Sequence, residues 1–81
     1  MRENEEFVQL ARQLWRAKSL TPQTLHDAVH SVNTLKHVRI RLLSGLVGWA
    51  ESGQSSEHIE VLAVAQQVLV AEVSCSLSPF S

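Results

Sequence analysis

Apolar residues return at helical steps in three stretches of this chain. In "ENEEFVQLARQLWRAKS" the positions Phe7, Leu10, Ala11, Leu14 and Trp15 recur at intervals of three and four, which predicts a one-sided amphipathic helix over residues 3–18. A second run follows the seven-residue pattern Leu25, Ala28, Val32, Leu35, Arg39, Leu42, Leu46 and Trp49 and predicts a long helix over 22–52. Unbroken, it would hold about 31 residues and reach about 46 Å. Gly45 and Gly48 are its weakest points, since each glycine costs a helix about 1 kcal/mol relative to alanine, so a kink or early end is expected near "SGLVG". The third run, "IEVLAVAQQVLVAEV", predicts a helix over 56–74 that is apolar on more than one side.

Local signals mark the boundaries. In "SLTPQTL", Thr21 can cap a helix with its hydroxyl, Pro22 suits the first helical position, and Leu20 and Leu25 flank the cap as a hydrophobic staple. "ESGQSSEH" reads as a turn, with Gly53 in the left-handed position after one helix and Ser55 or Ser56 capping the next. The serine-rich tail 75–81 is expected to fray. The expected architecture is all-α, a single domain over 1–81 in which a short N-terminal helix accompanies a long antiparallel helical hairpin.

Composition narrows the class. The chain is 44% hydrophobic and 19% charged with a formal net charge of -1, which suits a folded or co-folding chain and not a dedicated polyanion binder. Cys75 is the one cysteine, so no intramolecular disulfide can form and a reducing compartment fits. "MRENEEFVQL" carries glutamates where a signal peptide has a positive region, and no stretch reaches the ~18 apolar residues of a membrane span, so the cytoplasm is the expected location and no membrane is involved. After Arg41 there is no further Lys or Arg, which leaves the C-terminal half apolar and acidic.

Candidate chemistry is sparse. His26 and His30 stand at the i, i+4 spacing of a metal pair, beside Asp27. His37, however, lies two turns past His30 and cannot reach the same ion. His26, His30, Asn33 and His37 fall opposite the seam begun at Leu25 and read as a solvated face, so neither a metal nor another cofactor is expected. No serine lies in a nucleophile elbow, Cys75 sits beside the tail, and "GLVG" is no phosphate loop, so no enzymatic activity is expected. Arg39 occupies a seam position otherwise filled by apolar residues, where a charge fixes register or partner if it does not simply snorkel past the edge.

What remains is apolar surface. The third helix offers Ile59, Leu62, Ala65, Leu69 and Val73 on one stripe and Val61, Val64, Val68 and Cys75 on another; the first can pack on helix two, and the second needs a further surface. Helix two adds a flank of Val38, Ile40, Leu43 and Val47 to its seam. The short first helix is expected to cover only part of this, leaving Val61, Val64, Val68, Ile40, Leu43, Val47 and Trp49 as a face for a helical partner or for self-association. The expected function is a small protein–protein interaction module, an adaptor or chaperone. The alternative is a homodimeric regulatory bundle that touches nucleic acid through Lys36, Arg39 and Arg41.

In its length, its acidic start and the turn-then-apolar-helix layout of "ESGQSSEHIEVLAVAQQVLVAEV", the chain resembles the small co-chaperones of the type III secretion needle subunit. That resemblance is one of architecture and carries over no functional residue. It implies a helical hairpin that pairs with a tetratricopeptide-like chaperone, the two together keeping the needle subunit unpolymerised in the bacterial cytoplasm.

Overall fold

A computed structural model describes residues 2–77, with side chains described for 4–74. Four helices account for nearly all of these: α1 (Arg2–Arg16), α2 (Pro22–Val32), α3 (Lys36–Glu51) and α4 (Ser56–Leu77). The all-helical class is as expected; the number of helices is not. The helix expected over 22–52 is two helices, and it divides at Asn33 rather than at either glycine.

The break has a local cause. Asn33 leaves the helix in an extended conformation (φ -155°, ψ 140°) while its N–H still donates to the Val29 carbonyl at 3.2 Å. Its side-chain Oδ1 then accepts the Leu35 N–H at 2.8 Å, an Asx-type turn that offers the backbone an alternative to the next helical bond. Gly45 and Gly48 both sit inside a continuous α3. At Gly45 the lack of a side chain serves packing, because an added Cβ would lie 3.3 Å from Asn4 Cγ on α1.

Other boundaries follow the sequence more closely. Thr21 and Thr24 form a reciprocal capping box, with Thr24 N–H on Thr21 Oγ1 at 3.1 Å and Thr21 N–H on Thr24 Oγ1 at 2.9 Å. Leu25 is fully buried and Leu20 packs against the core, as a staple requires. Ser55 caps α4 by accepting the His58 N–H at 3.4 Å. Gly53 does not adopt a left-handed conformation; its need for glycine is close approach, since a Cβ there would collide with the His58 imidazole. Residues 75–77 of the expected tail belong to α4, and 78–81 lie outside the described residues.

The left-handed residue is at the end of α1. There Lys18 (φ 59°) donates its N–H to the Trp15 carbonyl and Ser19 donates to Leu14 at 2.9 Å, the paired bonds of a Schellman motif with lysine where glycine is favoured.

Packing centres on the antiparallel pair α3 and α4, with α1 laid on α3 and α2 laid on α4. The core draws on all four helices: Phe7 and Ala11, Leu25 and Val29, Leu42, Leu43 and Leu46, and Val61, Ala65 and Val68. Because the chain turns at Asn33, α2 can fold back along α4 and bury Leu25 and Val29. A straight helix would have carried them past the hairpin's end. Among the described residues no helix is long and apolar enough to cross a membrane.

Lys18→Gly should relieve the cost of the left-handed backbone and raise stability by about 1 kcal/mol, read by urea denaturation. Asn33→Ala removes the acceptor that closes the turn and should lower it by a similar amount.

Candidate functional site

The structure redistributes the residues expected to meet a partner. Leu43, Val61 and Val68 are core, at 0%, 0% and 3% exposure, because α1 and α2 together close over the hairpin. Val47, Val64 and Trp49 are partly buried against that core, and Ile40 is half-buried on α3. Trp49 stacks on His58 with ring centroids 4.3 Å apart, and the Arg12 guanidinium lies 5.5 Å from its ring. The expected open face is therefore largely closed from within the chain. Both stripes of α4 contribute to the core: Val61 and Val68 are buried with Ala65, and Leu62, Val64 and Leu69 pack against them, whereas Ile59 and Val73, placed on the inner stripe by sequence, are exposed.

Of the basic residues expected to contact nucleic acid, Lys36 is half-buried and Arg41 exposed, while Arg39 is buried inside the bundle. Its Nε donates to Glu72 Oε1 on α4 at 3.2 Å and its Nη1 donates to the Thr34 carbonyl at 2.5 Å. Arg39 thus ties the end of α4 to the carbonyl left free by the Asn33 break, and it is not available to a phosphate. His30 joins from α2, its Nε2 lying 2.6 Å from the same Oε1. The solvated face expected for the histidines holds for His26 and His37, which are exposed, but not for His30.

Glu72 is a buried carboxylate with two donors. Burial pushes its pKa up, but the hydrogen bonds from Arg39 and His30, together with the positive charge they bring, outweigh it and hold the carboxyl below its ordinary range. At the other end of the hairpin Glu57 takes Nε of Arg12 at 2.9 Å, and this hydrogen bond, opposed by burial and reinforced by the charges of Arg12, Arg16 and His58, lowers its pKa as well. Glu60 accepts the Trp15 indole N–H at 2.6 Å. All three carboxylates of α4 are therefore engaged by the bundle itself.

With Glu57 and Glu72 drawn into the bundle and the exposed Glu60 held by Trp15, one exposed line of α4 carries no charge. Ile59, Ala63, Gln66, Val70 and Val73 are all exposed and follow one another at steps of four, three, four and three. This is the spacing of a heptad seam, about 200° around the helix from the inner series Val61, Ala65, Val68 and Glu72. Exposure is 61% at Ile59 and 63% at Val70, so nothing among the described residues covers this seam. Sequence reading missed it because it had not located the pairing of Arg39. A charge at a seam position requires a buried opposite charge, Glu72 is the carboxylate nearest the end of α4, and placing it inward turns Ile59, Val70 and Val73 outward.

Comparison with protein families, curated proteins and solved structures gave no match.

Arg39→Met alone should cost about 3–5 kcal/mol by stranding Glu72, and adding Glu72→Met should recover much of that loss, read as a double-mutant cycle in urea. For Glu57, the folded carboxyl binds its proton more weakly than the unfolded one. Its contribution is complete above the unfolded pKa of about 4.3 and is lost as pH falls through the lower folded value. The Tm should therefore drop on acidification below about pH 5, and Glu57→Gln should flatten that part of the profile.

Proposed function

We propose that the protein is a helix-binding interaction module whose contact surface is the outer seam of α4. The observation that carries this reading is the exposed 4-3-4-3 series of Ile59, Ala63, Gln66, Val70 and Val73 on a helix whose opposite face is already core. A helix apolar on both faces belongs in an interior, and the bundle buries only one of the two. The complementary occupant is an amphipathic helix presenting its own apolar stripe.

A partner protein fits this seam better than a second copy of the chain. From Ile59 to Val73 the seam is about 21 Å long, two heptads, and two of its five positions are the small Ala63 and the polar Gln66. Self-sustaining coiled coils need about three to four heptads. Recognition rests on shape and apolar burial, because Glu57, Glu60 and Glu72 are committed to Arg12, Trp15 and Arg39. A transient adaptor or chaperone role, in the cytoplasm, is consistent with such a surface. Within that class, the architectural resemblance to needle-subunit co-chaperones makes a helical secretion substrate or its chaperone the first partner to try.

A photo-crosslinking amino acid at position 70 should give a defined heterologous adduct in the source cells, whereas one at Ser44 should not. Light scattering should show a monomer across a wide concentration range. With the crosslinker at position 70, Ile59→Asp and Ala63→Asp should abolish the adduct while changing stability by less than about 0.5 kcal/mol, as exposed substitutions do. A tight dimer dissolved by Val70→Asp would replace this reading with self-association.

A further inference from the structure

The fold brings together ligands from distant parts of the sequence, His30 and Glu72 being 42 residues apart. His26 and His30, one turn apart on α2, face Glu72 on α4, and one ligand atom from each lies within 4.8 Å of the other two. We infer that these three side chains form a binding site for a divalent transition-metal ion of the zinc class, independent of the outer seam of α4.

The chemistry of the donors supports this. Two imidazoles and one carboxylate suit borderline ions such as Zn²⁺ and Co²⁺ and leave a fourth tetrahedral position for water. The imidazoles are already side by side, with ring centroids 4.1 Å apart and planes inclined by 32°. His26 Nδ1 lies 3.5 Å from Asp27 Oδ1, a contact that a small rotation would turn into the outer carboxylate bond that metal-bound histidines commonly make, with Nε2 then turned to the ion.

The carboxylate is prepared in the same way. The Glu72 side chain is 6% exposed, and among the described residues both of its hydrogen bonds, from His30 and Arg39, fall on Oε1. Oε2 accepts none, so a buried carboxylate held in place by Arg39 keeps one oxygen for a further ligand.

Bonds of about 2.0–2.2 Å around a tetrahedral ion separate its ligand atoms by about 3.3–3.6 Å, so small side-chain rotations close the set. To bind the ion, His30 Nε2 gives up the proton it shares with Glu72 Oε1, which passes to solvent from an imidazolium or is replaced on Nδ1 in a neutral ring, and Glu72 meets the ion through Oε2. The half-exposed His26 provides the entry path. Arg39 opposes the charge of the ion and moderates its affinity, so occupancy responds to metal concentration and is not permanent.

Chelator-stripped protein titrated with ZnCl₂ by calorimetry should bind one ion per chain saturably and show a higher Tm when loaded. CoCl₂ should give the intense visible absorption of four-coordinate Co²⁺, and loaded protein should remain monomeric by light scattering. His26→Ala touches no core contact and should keep the metal-free Tm within about 4 °C. The same variant should lose the Tm rise and bind Zn²⁺ at least about tenfold more weakly. His37→Ala should bind as the parent does. Absence of saturable binding, undiminished binding in His26→Ala, loss of binding in His37→Ala, or dimerisation on loading would each overturn the assignment.

Discussion

One hydrogen bond decides the topology of this bundle: the Asn33 side chain accepts the Leu35 N–H and ends a helix that the surrounding periodicity would continue. Without that turn, α2 and α3 would form one rod extending beyond α4. With it, α2 reverses onto α4 and supplies Leu25 and Val29 to the core. The coverage that the hairpin needs therefore comes from a piece of the hairpin's own longer arm. A turn worth about 1 kcal/mol directs the burial of two large side chains, each worth about 1.5–3 kcal/mol.

The buried charges complete the same corner. Breaking the helix frees the Thr34 carbonyl near the start of α3, and Arg39 fills that acceptor while reaching Glu72. Three helices meet at one carboxylate: α2 through His30, α3 through Arg39 and α4 through Glu72 itself. Each polar group is satisfied by another, so the arrangement tolerates burial that an isolated charge would not. The far end of the hairpin is held differently, by the half-buried pair Arg12 and Glu57 and by Trp49 stacked on His58.

Much of this was legible in the sequence, and the failures have physical causes. The Thr21 cap, the serine cap of α4 and the all-helical class depend on contacts within a few residues, and local patterns report these well. The break at Asn33 was hidden because the apolar seven-residue pattern runs straight through it, whereas a single Asx turn leaves no periodic trace. Helix propensity points to a break at either glycine, but α3 runs through both; at Gly45 the missing side chain makes room for Asn4 of α1, whereas an added Cβ at Gly48 would meet open space. The residues expected to meet a partner are buried for two reasons: α1 and α2 together close over the hairpin, which buries Leu43, and Val61 and Ile59 lie on opposite sides of α4, where only a long-range ion pair shows which side faces inward. The seam of Arg39 was correctly recognised as anomalous, but its partner lay 33 residues away.

Those two sides of α4 are nearly interchangeable as patterns of apolar residues. Turned by about 200°, the helix would offer Ile59, Ala63, Gln66 and Val70 to the bundle in place of Val61, Ala65, Val68 and Glu72. Beyond the exchange of Val68 for Gln66, what differs is the place of Glu72, because after such a turn Arg39 would face Val70 and remain buried without a counter-charge. Glu72 thus acts as a rotational key: it adds little to the net stability of the hydrophobic contacts, but it makes one orientation of an otherwise ambiguous cylinder much less costly than the other.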